Sequence, residues 1–362
     1  MNGFEIDLLP VTSGDHSGDC IAFRYGDLHT GGDAQTVVIV DGGYGKNAAD
    51  LKAHLKKYYN CTTRDGKIRI DLAIVTHTDL DHVGGLAKLS EDEDIEILNV
   101  WAHAPQEEMN KSWFADNRRT TSSIRTKLDD AFTQLSNLLA NTKSSKRWDV
   151  YSDWTLDGAD FTILSPNPTF YKKCIANSGK ADLKPDERVD AMRYPASSVK
   201  DEVEDEDYVK GHIQWDDSEG TTPINESSMV FLFEYEGVRV LFCGDAGKEA
   251  MENALAQAKE QSINLEGLTI IKQPHHGSRK NVNPSIMGKM SAKYCFISCK
   301  KDDEGHHPSK RLVNMLIEKG YSVYTTSGST LHWGKNAPDR NWNNVKPMTT
   351  FDRIEKRKGN KK

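Results

Sequence analysis

The feature that most constrains this chain is a dense polar cluster at the end of an apolar run. Ile68–Thr76 reads as a buried strand, and it runs straight into His77-Thr78-Asp79-Leu80-Asp81-His82. Two imidazoles and two carboxylates within six residues suit divalent metal ions. A turn here points His77 and Asp79 one way and Asp81 and His82 another, which serves two adjacent ions. The competing role is a polar cap on the helix that starts near Val83, with Asp81 or His82 as the cap. Sites in α/β proteins are built at the carboxyl ends of strands. The fold must therefore bring other strand ends to this one.

Three further runs end in the same manner. Thr36–Val40 ends in Asp41-Gly42-Gly43, Val238–Cys243 in Gly244-Asp245, and Leu268–Lys272 in Gln273-Pro274-His275-His276-Gly277-Ser278. A Gly-Asp after a strand is ordinarily a turn, and a His-His pair alone is weak. Together they give six candidate metal ligands: His77, Asp79, Asp81, His82, Asp245 and His275. That is enough for a binuclear centre that keeps open positions for water and substrate.

The rest of the chain supplies the frame. Short strands are expected at Ile6–Pro10, Cys20–Tyr25, Ile95–Ala102, Phe161–Leu164, Ser228–Tyr235, Ala292–Ser298, Ser322–Thr325 and Thr330–Trp333. Helices are expected at Asn47–Tyr59, from Val83, at Lys248–Lys259 and at Pro308–Lys319. This alternation reads as an α/β protein with both faces of its sheets covered. We expect one domain over 1–340. Residues 104–147 read as a helical insertion, with Ile124, Leu128, Phe132, Leu135 and Leu139 on one face. Residues 167–220 lack periodicity and contain the acidic run 201–207, so they read as an inserted loop or lid. The C-terminal tail 341–362 is basic from Arg353 and reads as frayed.

Composition narrows the classes. Of 362 residues, 37% are hydrophobic and 28% charged; the 7 Trp, 12 Tyr and 11 Phe can fill a large core. No apolar stretch approaches membrane-span length, so no membrane is expected. A net charge of −7 argues against tight non-specific wrapping of duplex DNA. The six cysteines form no CxxC pair and read as reduced and buried. The N-terminus has neither a basic nor a long apolar region, so the expected address is cytoplasmic.

The ordered motifs carry a resemblance. His77-x-Asp79-x-Asp81-His82-x-Gly84-Gly85 resembles the HxHxDH signature of the metallo-β-lactamase fold superfamily, with Asp79 in place of the middle histidine. The HxDxDHxGG form is similar to the branch found in the metallo-hydrolase domain of ComEC, the competence DNA-uptake protein. Asp15-His16-Ser17-Gly18-Asp19-Cys20-Ile21, Ile39-Val40-Asp41-Gly42-Gly43, Asn225 before the hairpin, Gly244-Asp245, Pro274-His275-His276-Gly277-Ser278 and Gly305-His306-His307-Pro308 follow that branch in order. The resemblance covers roughly residues 4–103 and 148–333, apart from the loop near 170–220. It implies an αββα sandwich of two packed mixed sheets with helices outside, plus insertions. Asn225 stands where relatives usually carry another histidine; His212 is a candidate substitute from the insertion. The membrane channel of the uptake protein has no counterpart in the chain.

The implied chemistry is metal-assisted hydrolysis with two divalent ions, zinc or manganese. His77 and Asp79 are expected to hold one ion and Asp81 and His82 the other. Asp245 bridges and His275 completes the set. Asp81 also holds the attacking water, and His307 serves the leaving group or contacts the scissile phosphate. Asp41, Asn225, His276 and Ser278 are expected to orient ligands or touch substrate. The first functional expectation is a phosphodiesterase or nuclease acting on nucleic acid or nucleotides, with a basic face at Arg118, Arg119, Arg125, Lys127, Lys143, Lys146 and Arg147 beside Trp113 and Phe114. The alternative is a hydrolase of an amide, lactone or thioester, including a peptidase within a multi-protein assembly. A protein partner could dock through 104–147. A scaffold with a merely structural metal is the third class.

Overall fold

The computed structural model describes residues 2–11, 16–142, 145–147, 150–194, 196, 205–215, 217–301, 303, 306–340 and 345–356. The turn at 13–15, residues 201–204 of the acidic run, Lys143, Trp148, Gly305, and 341–344 and 357–362 of the tail lie outside the described residues.

Two seven-stranded sheets dominate. In chain order their strands are β1 (Gly3–Leu8), β2 (Cys20–Gly26), β3 (Gln35–Gly42), β4 (Leu72–Ile74), β5 (Asn99–Trp101), β6 (Ser145–Arg147), β7 (Trp154–Leu156), β8 (Ala159–Ser165), β9 (Val230–Tyr235), β10 (Val238–Phe242), β11 (Leu268–Lys272), β12 (Ala292–Ile297), β13 (Ser322–Thr325) and β14 (Leu331–Lys335). The first sheet runs β14-β1-β2-β3-β4-β5-β6 and the second β13-β12-β11-β10-β9-β8-β7. Each is mixed. The β14-β1-β2-β3 part is antiparallel and β3-β4-β5-β6 parallel. In the other sheet β7-β8-β9-β10 is antiparallel and β10-β11-β12-β13 parallel.

Side-chain alternation explains why the sheets stack. Period 2 sends Phe4, Ile6, Ile21, Phe23, Val38 and Val40 to one face, where they meet Phe231, Phe233, Val240 and Phe242 in the core between the sheets. The opposite residues, such as Ala22, Val37 and Ile39, pack under α1 (Ala48–His54), α2 (Leu80–Leu89) and Leu135, Leu138 and Leu139 of α4 (Thr133–Asn141). On the far side, Val230, Leu232 and Leu241 pack under α5 (Pro168–Asn177), α6 (Lys248–Glu260) and α7 (Lys310–Glu318). The expected αββα sandwich is the observed architecture.

Local differences have physical causes. The run Ile68–Thr76 is not one strand: Ile68–Ile70 pairs with Ile95–Ile97 in a small separate sheet, and β4 begins after Asp71. The Asp71 carboxylate accepts from Val37 N at 2.8 Å and its carbonyl from Asn99 Nδ2 at 2.8 Å, which breaks the ladder there. The stretch that lacked periodicity opens with a capped helix. Asn167 Oδ1 accepts from Phe170 N at 2.9 Å, proline stands in the first turn, and Phe170, Tyr171 and Cys174 are buried. Within 104–147, α3 (Thr121–Ala131) precedes α4, and α4 belongs to the helical layer over the first sheet.

The tail is not frayed throughout. Arg353–Glu355 pairs antiparallel with Asp205–Asp207 of the acidic run, and the buried Glu355 carboxylate accepts from Lys310 N and Arg311 N, both at 2.7 Å, at the start of α7. All six cysteines are unpaired and buried. Among the described residues no helix is long and apolar enough to cross a membrane.

Candidate metal centre

Close backbone packing sets the first half of the site. A Cβ on Gly85 would lie 1.8 Å from Gly42 O, so only glycine lets α2 rest on the end of β3. That contact brings the first turn of α2, with Asp81 and His82, beside Asp41. Asp79 takes the N-cap position without a side-chain cap bond, so neither Asp81 nor His82 is the cap and the Asp79 carboxylate is left to face His77. Asp79 Oδ2 lies 3.8 Å from His77 Nε2.

The second half comes from the other sheet. Asp245 follows β10, and its N–H donates to Ser228 Oγ at 3.0 Å. His275 and His276 follow β11 with left-handed backbone, φ 45° and 54°. Such conformations cost non-glycine residues free energy and cluster at functional sites. Asp41 shares this conformation, φ 56°.

Asp245 is the hub. Its Oδ1 lies 3.3 Å from His82 Nε2, and its Oδ2 lies 3.7 Å from both His275 Nε2 and His276 Nε2 and 4.0 Å from His77 Nε2. Asp81 Oδ2 lies 3.4 Å from His276 Nε2 and 3.7 Å from His82 Nε2. Asp81, His82, Asp245 and His276 present four donor atoms within 4.8 Å of one another. His276, expected to orient ligands or touch substrate, thus sits inside a four-member donor cluster. His275 Nε2 also lies 3.4 Å from Asn225 Nδ2.

Hydrogen bonds fix the tautomer of every imidazole alike. His82 Nδ1 donates to Asp41 Oδ2 at 2.8 Å, His276 Nδ1 to Ser298 O at 3.0 Å and His275 Nδ1 to Asn281 Oδ1 at 2.9 Å. Thr76 Oγ1 donates to Asp41 Oδ2 at 2.6 Å, so it accepts from His77 Nδ1 at 3.2 Å. Each Nε2 therefore carries its lone pair toward the centre. Nε2 of His77, His82 and His276, and Oδ1 of Asp245, are buried without a hydrogen-bond partner. Four orphaned acceptors around one space are costly unless a cation fills it. The donor set fits divalent metal.

Without a cation the charges compete. Burial pushes the Asp81 and Asp245 carboxyls up, but the facing imidazoles, His82 foremost, outweigh it and hold both well below the usual carboxylate range. Burial opposes the charge on His82 and His276, but the surrounding carboxylates together outweigh it and raise both: Asp245, Asp41 and Asp81 for His82, and Asp245, Asp81 and Asp19 for His276. His77 is lowered, by burial and by its neighbour His82. Burial, then His275 and His276, push His307 well below its ordinary value; its ring lies 5.4 Å from that of His275.

Some expected residues stand apart. The Ser278 hydroxyl accepts from Lys280 N at 3.3 Å and serves its own turn. His212 is exposed, and the neighbouring Gly211 N donates to Glu318 of α7, so His212 does not supply the missing ligand. Phe114 is buried in the core with Tyr171 and Ile224 and offers no stacking face, whereas Arg118 is exposed. Sequence reasoning quoted Asp19 only within its motif, without a role, and did not single out Lys272. They form a buried ion pair, with Asp19 Oδ1 3.6 Å from His276 Nδ1. Burial opposes the Lys272 charge, and Asp19 and Asp245 restore and raise it. A lysine closing the apolar Leu268–Lys272 strand was the available signal.

A family model agrees with this architecture. Residues 31–283 match the family described as the metallo-beta-lactamase superfamily. Among curated protein sequences none matches. Similar solved structures include the metallo-beta-lactamase fold protein YhfI from Bacillus subtilis, at 10% identity over 92% of this chain and 100% of that chain, TM-score 0.47. Tm1679, a metal-dependent hydrolase of the beta-lactamase superfamily, aligns at 11% identity over 91% and 98%, TM-score 0.46. A diphosphatase from the PhnP family aligns at 13% over 92% and 98%, TM-score 0.40. With the family match spanning well over half its length, the chain belongs to the metallo-beta-lactamase superfamily of metal-dependent hydrolases.

Proposed function

We propose that the chain is a phosphodiesterase with a binuclear centre, of the branch that resembles the ComEC metallo-hydrolase domain, acting on nucleic acid or nucleotides. The observation that carries the centre is the shared tautomer of four imidazoles, all with Nε2 turned toward Asp245. His77, Asp79 and His275 would hold one ion, Asp81, His82 and His276 the other, with Asp245 between them. Divalent ions bound there supply Lewis acidity to a phosphoryl oxygen and acidify a water. The oxygen-rich donor set accommodates manganese as well as zinc.

The chain's own residues do the rest. Asp41 and Thr76 hold His82 and His77 in one tautomer. Asp81, flanking the site with its side chain 21% exposed, is placed to orient the attacking water. His307 stands beside His275 and His276, where it contacts the leaving group. The preference for phosphodiesters rests on the resemblance of the ordered motifs.

The test is turnover of bis-p-nitrophenyl phosphate and of labelled single-stranded DNA by metal-stripped protein, with Mn²⁺ or Zn²⁺ restored and Asp81→Ala alongside. Metal-dependent cleavage that the variant lacks is expected. No cleavage by protein that still binds both ions would turn the reading to amide or ester hydrolysis.

A further inference from the structure

Asp79 stands where the resembled signature carries a histidine. The exchange replaces a neutral donor by an anion, so three carboxylates, Asp79, Asp81 and Asp245, surround the centre. A lysine from a distant segment faces the added charge. Lys180 Nζ lies 3.7 Å from Asp79 Oδ1, while Asp79 Oδ2 faces His77.

The backbone holds Lys180 there. Gly179, Ala181 and Asp182 all adopt left-handed conformations, φ 65°, 59° and 52°. Only the glycine does so without strain, and strain of this kind persists where the surroundings enforce it. The surroundings are visible. Ala181 O accepts from Lys127 Nζ at 3.1 Å, and Leu183, 2% exposed, is anchored in the core with Tyr171 and Ile224. A lysine serving only solubility needs no such brace. Its side chain remains 44% exposed at the mouth of the site. An ammonium has three N–H donors, and Asp79, at 3.7 Å, pairs with its charge at ion-pair distance, beyond hydrogen-bond reach.

We propose that Lys180 binds an anionic oxygen of the substrate beside the metal centre, so that the natural substrate is a phosphate ester rather than a neutral amide or lactone. This rests on the hydrolase reading of the centre. An ammonium–phosphoryl contact is charge-assisted and geometrically tolerant, which suits a lysine at a half-open mouth. A surface ion pair with Asp79 alone would contribute almost nothing.

The test uses the full chain loaded with Zn²⁺ or Mn²⁺ and inorganic phosphate as the probe. Binding is read by calorimetry and metal per chain by elemental analysis, for wild type, Lys180→Ala and Lys180→Arg. We expect Lys180→Ala to weaken phosphate binding by roughly 10-fold or more, as loss of one charge-assisted hydrogen bond does. Lys180→Arg should stay within about 3-fold of wild type, because it keeps the charge. Metal content should be unchanged in both. The proposal is overturned by phosphate affinity that is unchanged in Lys180→Ala, by loss of metal from it, or by a wild type that does not bind phosphate. Phosphate binding requires no turnover, so this outcome is independent of whether bis-p-nitrophenyl phosphate is cleaved.

Discussion

Asp41 Oδ2 accepts from His82 Nδ1 at 2.8 Å, and this single bond decides which nitrogen of His82 faces the centre. Asp41 is fully buried and also accepts from Thr76 N, so it ties the end of β4 to the first turn of α2. Asp41→Asn turns one acceptor into a donor and disturbs the tautomer. The expected outcome is metal affinity weaker by about 10- to 100-fold, with the circular dichroism spectrum retained. Competition against a chelator measures it; unchanged affinity would show that His82 is oriented by other means.

His275 and His276 are adjacent in sequence, and each holds its Nε2 3.7 Å from Asp245 Oδ2, but the proposed centre assigns them to different ions. His276→Ala should lose the ion on the Asp81 and His82 side, and His275→Ala the ion on the His77 and Asp79 side. Each single variant is expected to hold about one ion fewer per chain by elemental analysis, and the double variant about two fewer. A single variant that keeps its full metal complement would remove that residue from the donor set.

Lys272 and Asp19 are each 1% exposed. Breaking such a pair from one side leaves a buried charge without its partner. Lys272→Met should therefore lower stability by about 3–5 kcal/mol in denaturant melts, and adding Asp19→Asn should recover much of it. Equal stability of Lys272→Met and wild type would show the pair to be energetically idle.

Glu226 gives a pH signature. Its carboxylate accepts from Ala250 N at 2.7 Å at the start of α6, and burial, its strongest influence, pushes the carboxyl up to about 7 from 4.5. An acid raised in the folded state keeps its proton longer there than in the unfolded chain. The stability it contributes is full below about 4.5 and is lost as pH rises through about 7. Glu226→Gln should match wild type in acid and exceed it at about pH 8 by at most about 3 kcal/mol. Thermal melts across that range decide it. A wild-type advantage at the alkaline end would contradict a raised carboxyl.

Much of this was legible in residues alone. His77, Asp79, Asp81, His82 and Asp245 announced themselves because chemistry-bearing groups ended otherwise apolar strands, and the stacking of two sheets came from the resemblance of the ordered motifs. His275 was also named as a ligand, but the place of His276 among the donors was not legible, because the backbone conformation of two adjacent residues is not encoded in their spacing. The break at Asp71 was hidden because a buried carboxylate bonding a neighbouring strand looks, in sequence, like one polar residue in a long strand. The helix Pro168–Asn177 was missed although its Asn-Pro start is a capping signal, since its apolar face is short and its surroundings are polar. Lys180 was invisible, because only the folded chain brings it to Asp79, about a hundred residues away.

The donor atoms are contributed by both halves of the sandwich, His77 to His82 by the first sheet and Asp245 to His276 by the second. A chain that has completed only its N-terminal half owns half a chelate. Half-folded intermediates therefore sequester little metal, and tight uptake reports that the two sheets have docked. An ion held by both sets of donors would require both sheets to be in place, so its binding would report their assembly.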